Sequence, residues 1–422
     1  MQFDSRQMNP FNSLAAVALA VLLASAACGD NLDPPGLTPP DAAPGAPDVD
    51  AGGPDAAVAD AMVEIDAGAS CPAFAPAACS DSSPCASADE QCIAGACVAA
   101  CADTPADLAD GLGASGTVVA NVCVPAPALR AVQVSNAGGC EQLTAFDVSV
   151  AVDDATDIAT FTVERFPIEP DQDTPAASTV GTAEVQLEAG VSLFPSGYLA
   201  LTVAAPTATQ ALFGYTLSSA GFPGEVIHLD AGGAASSLAS DGNFGAVWLD
   251  DERYLISGLS TDQLSAGHGL YHVDVSGAAP VVKHIVTGLG DFSGSVGFDR
   301  GRGLVIVGGF FSDFVSRVFV IPVADIDAAV AADTPLDAFD TAAIARFEIP
   351  SDFVLIGRRL VSFDFTANEY QAREVMVAGD GAVTLAAPVR FAGAPITGLS
   401  AVADGGVLLH HAGGSLLVDV GP

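Results

Sequence analysis

The residues whose types and spacing point most directly to chemistry are the cysteines, of which the 422-residue chain has nine. Eight lie between residues 71 and 140, in a segment rich in Gly, Ser, Asp and Pro. So small a segment has little core, and disulfides are its usual source of stability. Zinc is the alternative, but no Cys-x-x-Cys pair occurs and the first histidine is His228. We predict four disulfides, whose pairing the spacing leaves open, among Cys71, Cys79, Cys85, Cys92, Cys97, Cys101, Cys123 and Cys140.

The histidines do not form a recognisable metal or catalytic motif. His268 and His272 are four residues apart but flank a strand-like run, without the Glu of a zinc-binding helix. His410 and His411 are adjacent on another such run and should point to opposite faces. We interpret all four as ordinary core or surface residues. No Gly-x-Ser-x-Gly elbow, Walker A motif, Rossmann fingerprint or EF-hand loop occurs in the chain.

The N-terminal segment, residues 1–28, has the pattern of an export signal. Its apolar run from Leu14 to Ala24 is too short for a membrane span, which needs about 20 residues, but suits a signal peptide. The following Ala-Ser-Ala-Ala-Cys-Gly resembles the lipobox of bacterial lipoproteins, and this resemblance implies that Cys28 carries lipid. Ser25 stands where that family usually has Leu, so ordinary signal-peptidase cleavage stays open. Removing Cys28 from the count leaves eight cysteines, an even number that can pair completely.

Residues 29–70 have seven prolines, nine acidic residues, and no basic or aromatic residue. Such a composition buries too little apolar surface to offset chain entropy, and it predicts a disordered tether. We therefore divide the chain into a signal peptide with lipobox (1–28), a linker (29–70), a disulfide-rich module (71–127) and a β-propeller (128–422).

The charge of the chain excludes several classes of partner. Acidic residues number 51 against 13 basic ones, a formal net charge of −38. Nucleic acid is excluded because its phosphates are bound by Lys and Arg, and anionic lipid headgroups would repel such a surface. The simplest interpretation is that the acidity keeps the protein soluble.

The propeller prediction rests on a repeat of about 50 residues, in which short runs rich in Val, Ile and Phe alternate with Gly and Asp turns. Hairpins recur near residues 153, 195, 250, 299, 357 and 404, and the stretch 293–349 contains four strand-like runs. Six such units predict an all-β fold, a propeller with six blades. The alternative, a two-sheet sandwich, does not explain the period.

Individual strands and the closure of the ring follow from this repeat. In the second unit, Gln210–Leu217 and Glu225–Asp230 are predicted as the third and fourth strands. The sixth unit ends at Gly414–Val420, with no residues left for a fourth strand. We predict that Ala128–Ser135, which precedes the first unit, pairs beside this last blade and removes its open edge.

The units resemble those of six-bladed NHL-type and gluconolactonase-type β-propellers. The resemblance is carried by Leu-Tyr-His-Val-Asp-Val at 270–275 and by Thr-Gly-Leu-Gly-Asp-Phe-Ser-Gly at 287–294. Within such a fold, Trp248 and the run Phe310–Phe314 are interpreted as packing between blades rather than as a binding stack.

One set of oxygen-bearing side chains occupies equivalent loops of three consecutive units. Asn243, Asp291 and Asp352 each lie where the chain enters an innermost strand, and these loops converge around a propeller's channel mouth. Gluconolactonase-type enzymes hold a divalent cation at that place, so the resemblance implies a calcium site here. Asp and Asn are also common turn formers, and this interpretation needs no metal or other cofactor.

Two functions therefore stay open. The first is an exported protein, lipid-anchored to the bacterial outer membrane or cell surface, whose propeller binds an unknown protein or glycan without catalysis. The second is a metal-dependent lactonase or other hydrolase at the channel mouth. A secreted or periplasmic location is the alternative to the lipid anchor.

Overall fold

A computed structural model describes most of the chain beyond residue 75. The described residues are 76–80, 82–113, 116–123, 143–153, 155–168, 178–186, 198–207, 210–217, 224–239, 243–259, 268–277, 279–290, 292–311, 315–341, 344–351, 353–402 and 406–421. The predicted signal peptide, lipidated Cys28 and tether lie outside these ranges, as does the segment 124–142. Within the described ranges, no helix is long and apolar enough to cross a membrane.

The first described segment contains three short strands and one turn of helix. Strands β1 (Glu90–Ile93) and β2 (Ala96–Ala99) form an antiparallel hairpin. A single helical turn, Leu108–Gly111, follows, and then β3 (Thr117–Val122).

Three disulfides stabilise this segment. They join Cys79 to Cys92, Cys85 to Cys97, and Cys101 to Cys123. The first two hold the β1–β2 hairpin, in which Cys92 and Cys97 stand opposite each other. Cys71 and Cys140, the remaining cysteines of the predicted set, lie outside the described residues.

Six sheets follow along the chain. The first contains β4 (Leu143–Asp153), β5 (Ile158–Ile168) and β6 (Ser178–Gln186). The second contains β7 (Tyr198–Thr207), β8 (Gln210–Leu217), β9 (Gly224–Leu229) and β10 (Ala235–Ala239). The third contains β11 (Asn243–Trp248), β12 (Arg253–Leu259), β13 (His268–Asp274) and β14 (Val281–Thr287).

The remaining three sheets complete the set. The fourth contains β15 (Phe292–Asp299), β16 (Leu304–Phe310), β17 (Ser316–Pro322) and β19 (Ala345–Ile349), while β18 (Leu336–Asp337) joins the third sheet. The fifth contains β20 (Phe353–Ile356), β21 (Arg359–Asp364), β22 (Glu369–Val377), β23 (Val383–Leu385) and β24 (Val389–Gly393). The sixth contains β25 (Gly398–Val402), β26 (Gly406–His411) and β27 (Gly414–Asp419).

These sheets are the six blades of the predicted β-propeller. The first strands of successive sheets contact one another in the order β4, β7, β11, β15, β20 and β25, which places them innermost. A sheet that lies between two neighbours can bury both of its faces, because alternate side chains of a strand point to opposite sides. In β16, Val305 and Val307 pack with residues of the third sheet, whereas Leu304 and Ile306 pack with residues of the fifth. The all-β, six-bladed fold predicted from the sequence is confirmed.

A strand from the N-terminal side completes the sixth sheet, but it is not the predicted one. β3 pairs antiparallel with β27, with Val122 opposite Ser415 and Asn121 opposite Leu416. The predicted closing segment, Ala128–Ser135, was the wrong choice for this edge and lies outside the described residues. The sequence pattern favoured it because it directly precedes the first repeat. β3 instead occupies the edge, with its end joined to Cys101 through the disulfide of Cys123.

The disulfide-rich segment packs against the propeller. Ile93, Val98 and Leu108 share one buried cluster with residues of the fifth and sixth sheets. Arg390 of β24 donates hydrogen bonds to carbonyl oxygens at the end of the helical turn Leu108–Gly111, which has no basic residue of its own. The closing strand is therefore supported by the segment that leads into it.

The fourth blade carries an insertion that the strand pattern did not predict. Between β17 and β19 the chain forms the helix Val323–Ala332, whose Ile326 and Ala329 are buried. It then forms β18, which pairs in parallel with the end of β14 in the third sheet. The insertion thus links the outer edges of two neighbouring blades.

The strand order of the second blade also differs from the prediction. Gln210–Leu217 and Gly224–Leu229 are its second and third strands, because Ala235–Ala239 forms a fourth strand beside β9. The sequence Ala-Ser-Ser-Leu-Ala carries little of the β-branched and aromatic character by which strands are recognised, so it was missed.

We predict that the disulfide between Cys101 and Cys123 holds the closing strand on the sixth sheet. A Cys101→Ser/Cys123→Ser variant should lose about 3 kcal/mol of unfolding free energy, because the disulfide limits the entropy of the unfolded chain. Hydrogen exchange should accelerate in β3 and β27, measured by mass spectrometry. A Cys79→Ser/Cys92→Ser variant is the control, since its disulfide does not reach β3. Equal exchange of β27 in the two variants would contradict this role.

Candidate binding surface

One end of the propeller is defined by the starts of its innermost strands, at Asn243, Phe292 and Phe353, and we call it the upper face. The predicted cation ligands belong to this face by sequence, because Asn243 begins β11 while Asp291 and Asp352 directly precede β15 and β20. Asp291 and Asp352 lie outside the described residues, and so does the side chain of Asn243. The cation site therefore stays a prediction.

The aspartates that recur before the hairpins have a structural role. Asp250 Oδ1 accepts hydrogen bonds from the backbone N–H groups of Glu252, at 3.0 Å, and Arg253, at 2.9 Å. Asp299 Oδ1 accepts one from the N–H of Arg302 at 3.1 Å, and Asp153 Oδ1 one from Ala155 at 2.9 Å. These carboxylates cap their own turns at the opposite end of the blades.

Two exposed aromatic rings distinguish the upper face. Among the aromatic side chains that the structure describes, only Phe339 and Phe365 are more than a third exposed, at 44% and 51%. Phe365 follows β21 at the end where Ser362 pairs with Phe353, so it belongs to the upper face of the fifth blade. Phe339 follows β18, and the neighbouring Ala338 N–H donates to the carbonyl of Thr287 at the upper end of β14.

The insertion in the fourth blade positions Phe339. Its ring makes edge-on contacts with Phe311, with centroids 5.7 Å apart, and with the fully buried Phe319, 5.8 Å apart. The guanidinium of Arg346 lies over the Phe339 ring, 4.7 Å from its centroid, and that of Arg317 lies over Phe311 at 4.5 Å. This is a continuous stack of rings and guanidinium groups, and each cation–π contact favours the arrangement.

Phe365 is held in a comparable way. It lies edge-on to Phe363 at 5.1 Å between centroids, and Phe363 in turn lies edge-on to the buried Tyr370 at 5.0 Å. The Ser351 hydroxyl donates to the carbonyl of Phe363 and accepts from its N–H, which fixes the strand beneath the exposed ring. Phe339 therefore rests on the buried Phe319 and Phe365 on the partly buried Phe363, which limits the conformational freedom of both exposed rings before any ligand arrives.

The histidines are structural, in agreement with the sequence interpretation for the three whose side chains are described. His410 bonds through Nε2 to the hydroxyl of Ser400 at 2.9 Å and through Nδ1 to that of Ser415 at 2.7 Å. His411 Nε2 donates to Asn121 Oδ1 in the closing strand at 2.9 Å. His272 is buried on β13.

Burial decides the protonation of these histidines. It lowers the pKa of His410 from its ordinary value near 6.5 to about 4, with a smaller contribution from the neighbouring His411. The pKa of His411 is likewise lowered to about 4 by burial. Burial also lowers the pKa of His272, and the positive charge of Arg253 adds to the effect. All three imidazoles are therefore neutral at pH 7, and those of His410 and His411 hold strands together through their hydrogen bonds.

The described residues contain one group of side chains with the spacing of metal ligands, and its chemistry does not suit a metal ion. One group of possible ligands occurs there, the Sγ atoms of Cys79, Cys85 and Cys97, which lie within 4.8 Å of one another. These sulfurs belong to two disulfides, so they are not thiolates and do not bind zinc. Trp248, which is 4% exposed and packs edge-on against Tyr254, lies between the second and third blades as predicted.

Sequence reasoning missed the two residues that mark the surface. Phe339 and Phe365 each stand one or two positions after an Asp in a turn, and that signal was present in the sequence. The exposure of a phenyl ring depends on its neighbours in the fold, so periodicity alone did not separate these residues from core phenylalanines.

Comparisons with known proteins identify no family for this chain. No protein-family profile matches the chain. No curated protein sequence matches it either. Among solved structures, TolB from Acinetobacter baumannii is 12% identical over 68% of this chain and 66% of its own, with a TM-score of 0.33. The WD40 domain of Toxoplasma gondii coronin is 13% identical over 72% and 83%, with a TM-score of 0.35. A protein from Lactobacillus plantarum is 13% identical over 66% and 76%, with a TM-score of 0.37.

We predict an acid-labile sixth blade. Because the pKa of buried His410 is lowered to about 4, the folded protein binds fewer protons than the unfolded chain between pH 6.5 and 4. Stability from this residue is complete above pH 6.5 and is lost as the pH falls, by up to about 3 kcal/mol. Urea denaturation at several pH values should show the slope, and a His410→Gln variant should reduce it. An unchanged slope in that variant would count against the assignment, and Ser400→Ala, which keeps the imidazole, is the control.

The predicted cation site has its own test. If Asn243, Asp291 and Asp352 bind Ca²⁺, the ion stabilises the folded state by mass action, so the Tm should rise with millimolar Ca²⁺. The rise should disappear in Asp291→Ala and persist in Asp250→Ala, whose carboxylate caps a turn at the other end. A melting curve of the wild-type protein that does not move with Ca²⁺ would remove the site.

Proposed function

We propose that the chain is an exported surface protein, lipid-anchored through Cys28, whose propeller binds a partner at its upper face. The observation that carries the binding role is the pair of exposed phenyl rings, Phe339 and Phe365, at one end of adjacent blades. Aromatic and arginine side chains are enriched where protein surfaces bind partners, and Arg346 lies over one of the two rings.

The insertion in the fourth blade gives independent support. β19 completes the fourth sheet, so the helix Val323–Ala332 and the turn that follows are not needed to fill that sheet. They deliver Phe339 to the upper face. In repeat architectures, insertions confined to one repeat commonly map to the loops of the binding face. The position of the insertion therefore supports a binding role for the upper face.

The anchoring part of the proposal rests on the sequence. The lipobox-like Ala-Ser-Ala-Ala-Cys-Gly, the short apolar run and the even number of the other cysteines support export with lipid on Cys28. A coil of 42 residues would hold the propeller about 35–40 Å from the bilayer. From there the upper face could reach ligands beyond the membrane.

The alternative function, a metal-dependent lactonase, requires carboxylates at the channel mouth. The side chains that would supply them lie outside the described residues, so no observation of the fold favours catalysis over binding. The calcium melting experiment above is also the test of this alternative.

The proposed binding role predicts that removing the two exposed phenyl rings weakens binding to cells. A soluble Cys28→Ser form, labelled with a fluorophore, should be retained by intact cells and extracellular material of the source bacterium. The Phe339→Ala/Phe365→Ala variant should be retained several-fold less, because the exposed aromatic area is removed without disturbing the core. Met376→Ala is the matched control, since Met376 on the fifth blade is also 44% exposed but lies toward the opposite end. Equal retention of all three proteins would refute a binding role for the upper face.

A further inference from the structure

We infer that the ligand of the upper face is a neutral glycan, with Phe339 and Phe365 each supporting one sugar ring. This inference rests on the proposed binding role and adds the chemical class of the ligand. It is carried by a construction that occurs twice, once on each of two adjacent blades.

Each exposed phenyl ring lies in a turn capped by an aspartate. Asp337 Oδ1 accepts hydrogen bonds from the N–H groups of Phe339, at 2.8 Å, and Asp340, at 3.1 Å. Asp364 Oδ1, next to Phe365, accepts from the N–H groups of Thr366, at 2.8 Å, and Ala367, at 3.0 Å. In both turns the other carboxylate oxygen makes no hydrogen bond with the described residues. Each turn thus presents a phenyl ring beside an available acceptor.

Sugars match this pairing of groups. A pyranose ring has an apolar face of C–H groups that packs on an aromatic ring, and hydroxyls around its edge that both donate and accept hydrogen bonds. A carboxylate oxygen accepts from such a hydroxyl, and a guanidinium donates to one. Arg346, exposed and stacked on Phe339, makes no hydrogen bond or ion pair with the described residues, so its N–H groups are available there.

Charge decides between neutral and anionic sugars. Asp337, Asp340 and Asp364 lie in the two turns beside the rings, while the guanidinium groups near Phe339 are those of Arg346 and of Arg317, and Arg317 is paired with Glu348. The chain as a whole carries a formal charge of −38. A uronic acid or sulfated sugar would be repelled by this field, whereas a neutral hexose would not.

Among the described residues of the upper face, the exposed apolar area is small, which favours a glycan over a protein partner. A stable protein–protein interface buries about 800 Å² on each partner around a hydrophobic centre. The other exposed large apolar side chains in the described residues lie on outer strands or at the lower end: Val152, Val281, Val282, Met376, Val377 and Val389. Two separate phenyl rings suit individual sugar units better than one continuous protein surface.

The test is affinity electrophoresis of the native, disulfide-bonded Cys28→Ser protein in gels that contain hydroxyethyl cellulose, galactomannan, a soluble β-1,3-glucan or polygalacturonate. At least one neutral polysaccharide should retard the protein, and polygalacturonate should not. Phe339→Ala and Phe365→Ala should each weaken the interaction about tenfold, the double variant should abolish it, and Phe339→Tyr should retain it. Met376→Ala should match the wild type, and melting temperatures should show that all variants are folded.

Two results would overturn the inference. Retardation by polygalacturonate alone would replace the neutral ligand with an anionic one. Absence of retardation in every gel, combined with the loss of cell retention in the Phe339→Ala/Phe365→Ala variant, would exclude a glycan of these types and leave the binding role standing with a different partner. Absence of both effects would refute the binding role itself.

Discussion

The structure depends on one constraint, which is that a blade lying between two neighbours, such as the fourth, is apolar on both faces. In β16 the alternating side chains of Leu304, Val305, Ile306 and Val307 are all buried, two toward each neighbouring blade. Such a sheet is stable only when it is covered on both sides, so each blade of this kind needs a neighbour on either side. At the end of the row, β3 completes the last sheet and covers its open edge.

The few arginines of this acidic chain stabilise the contacts between neighbouring blades. Arg300 of the fourth blade donates to the carbonyl oxygens of Trp248 and Leu249 in the third, at 3.0 and 2.6 Å. Arg302 reaches the carbonyl of Val375 in the fifth blade. Blade edges carry carbonyl groups that would otherwise need water or another donor, and a guanidinium can satisfy several of them while its stem packs on apolar surface. These contacts give Arg300 and Arg302 a structural role between blades.

Closure and export are linked through the cysteines. The disulfide between Cys101 and Cys123 holds the end of the closing strand, and Asn121 in that strand accepts a hydrogen bond from the buried His411. The His411 imidazole is neutral only at a pH well above 4. The disulfide persists only in an oxidising compartment. The cysteines that suggest export in the sequence therefore also bear on the integrity of the sixth sheet.

The sequence by itself determined the fold class and the approximate number of blades, because strand periodicity and turn residues are local and repeat along the chain. It also predicted a disulfide-rich first segment, in which six of the eight cysteines form three disulfides, while Cys71 and Cys140 lie outside the described residues. Tertiary structure decided which segment closes the ring, since the pairing of β3 with β27 joins residues about 300 positions apart and no local pattern records it. It also decided that Phe339 and Phe365 are exposed while Phe319 is fully buried, because a phenylalanine in a strand or turn looks the same in sequence until its neighbours are in place.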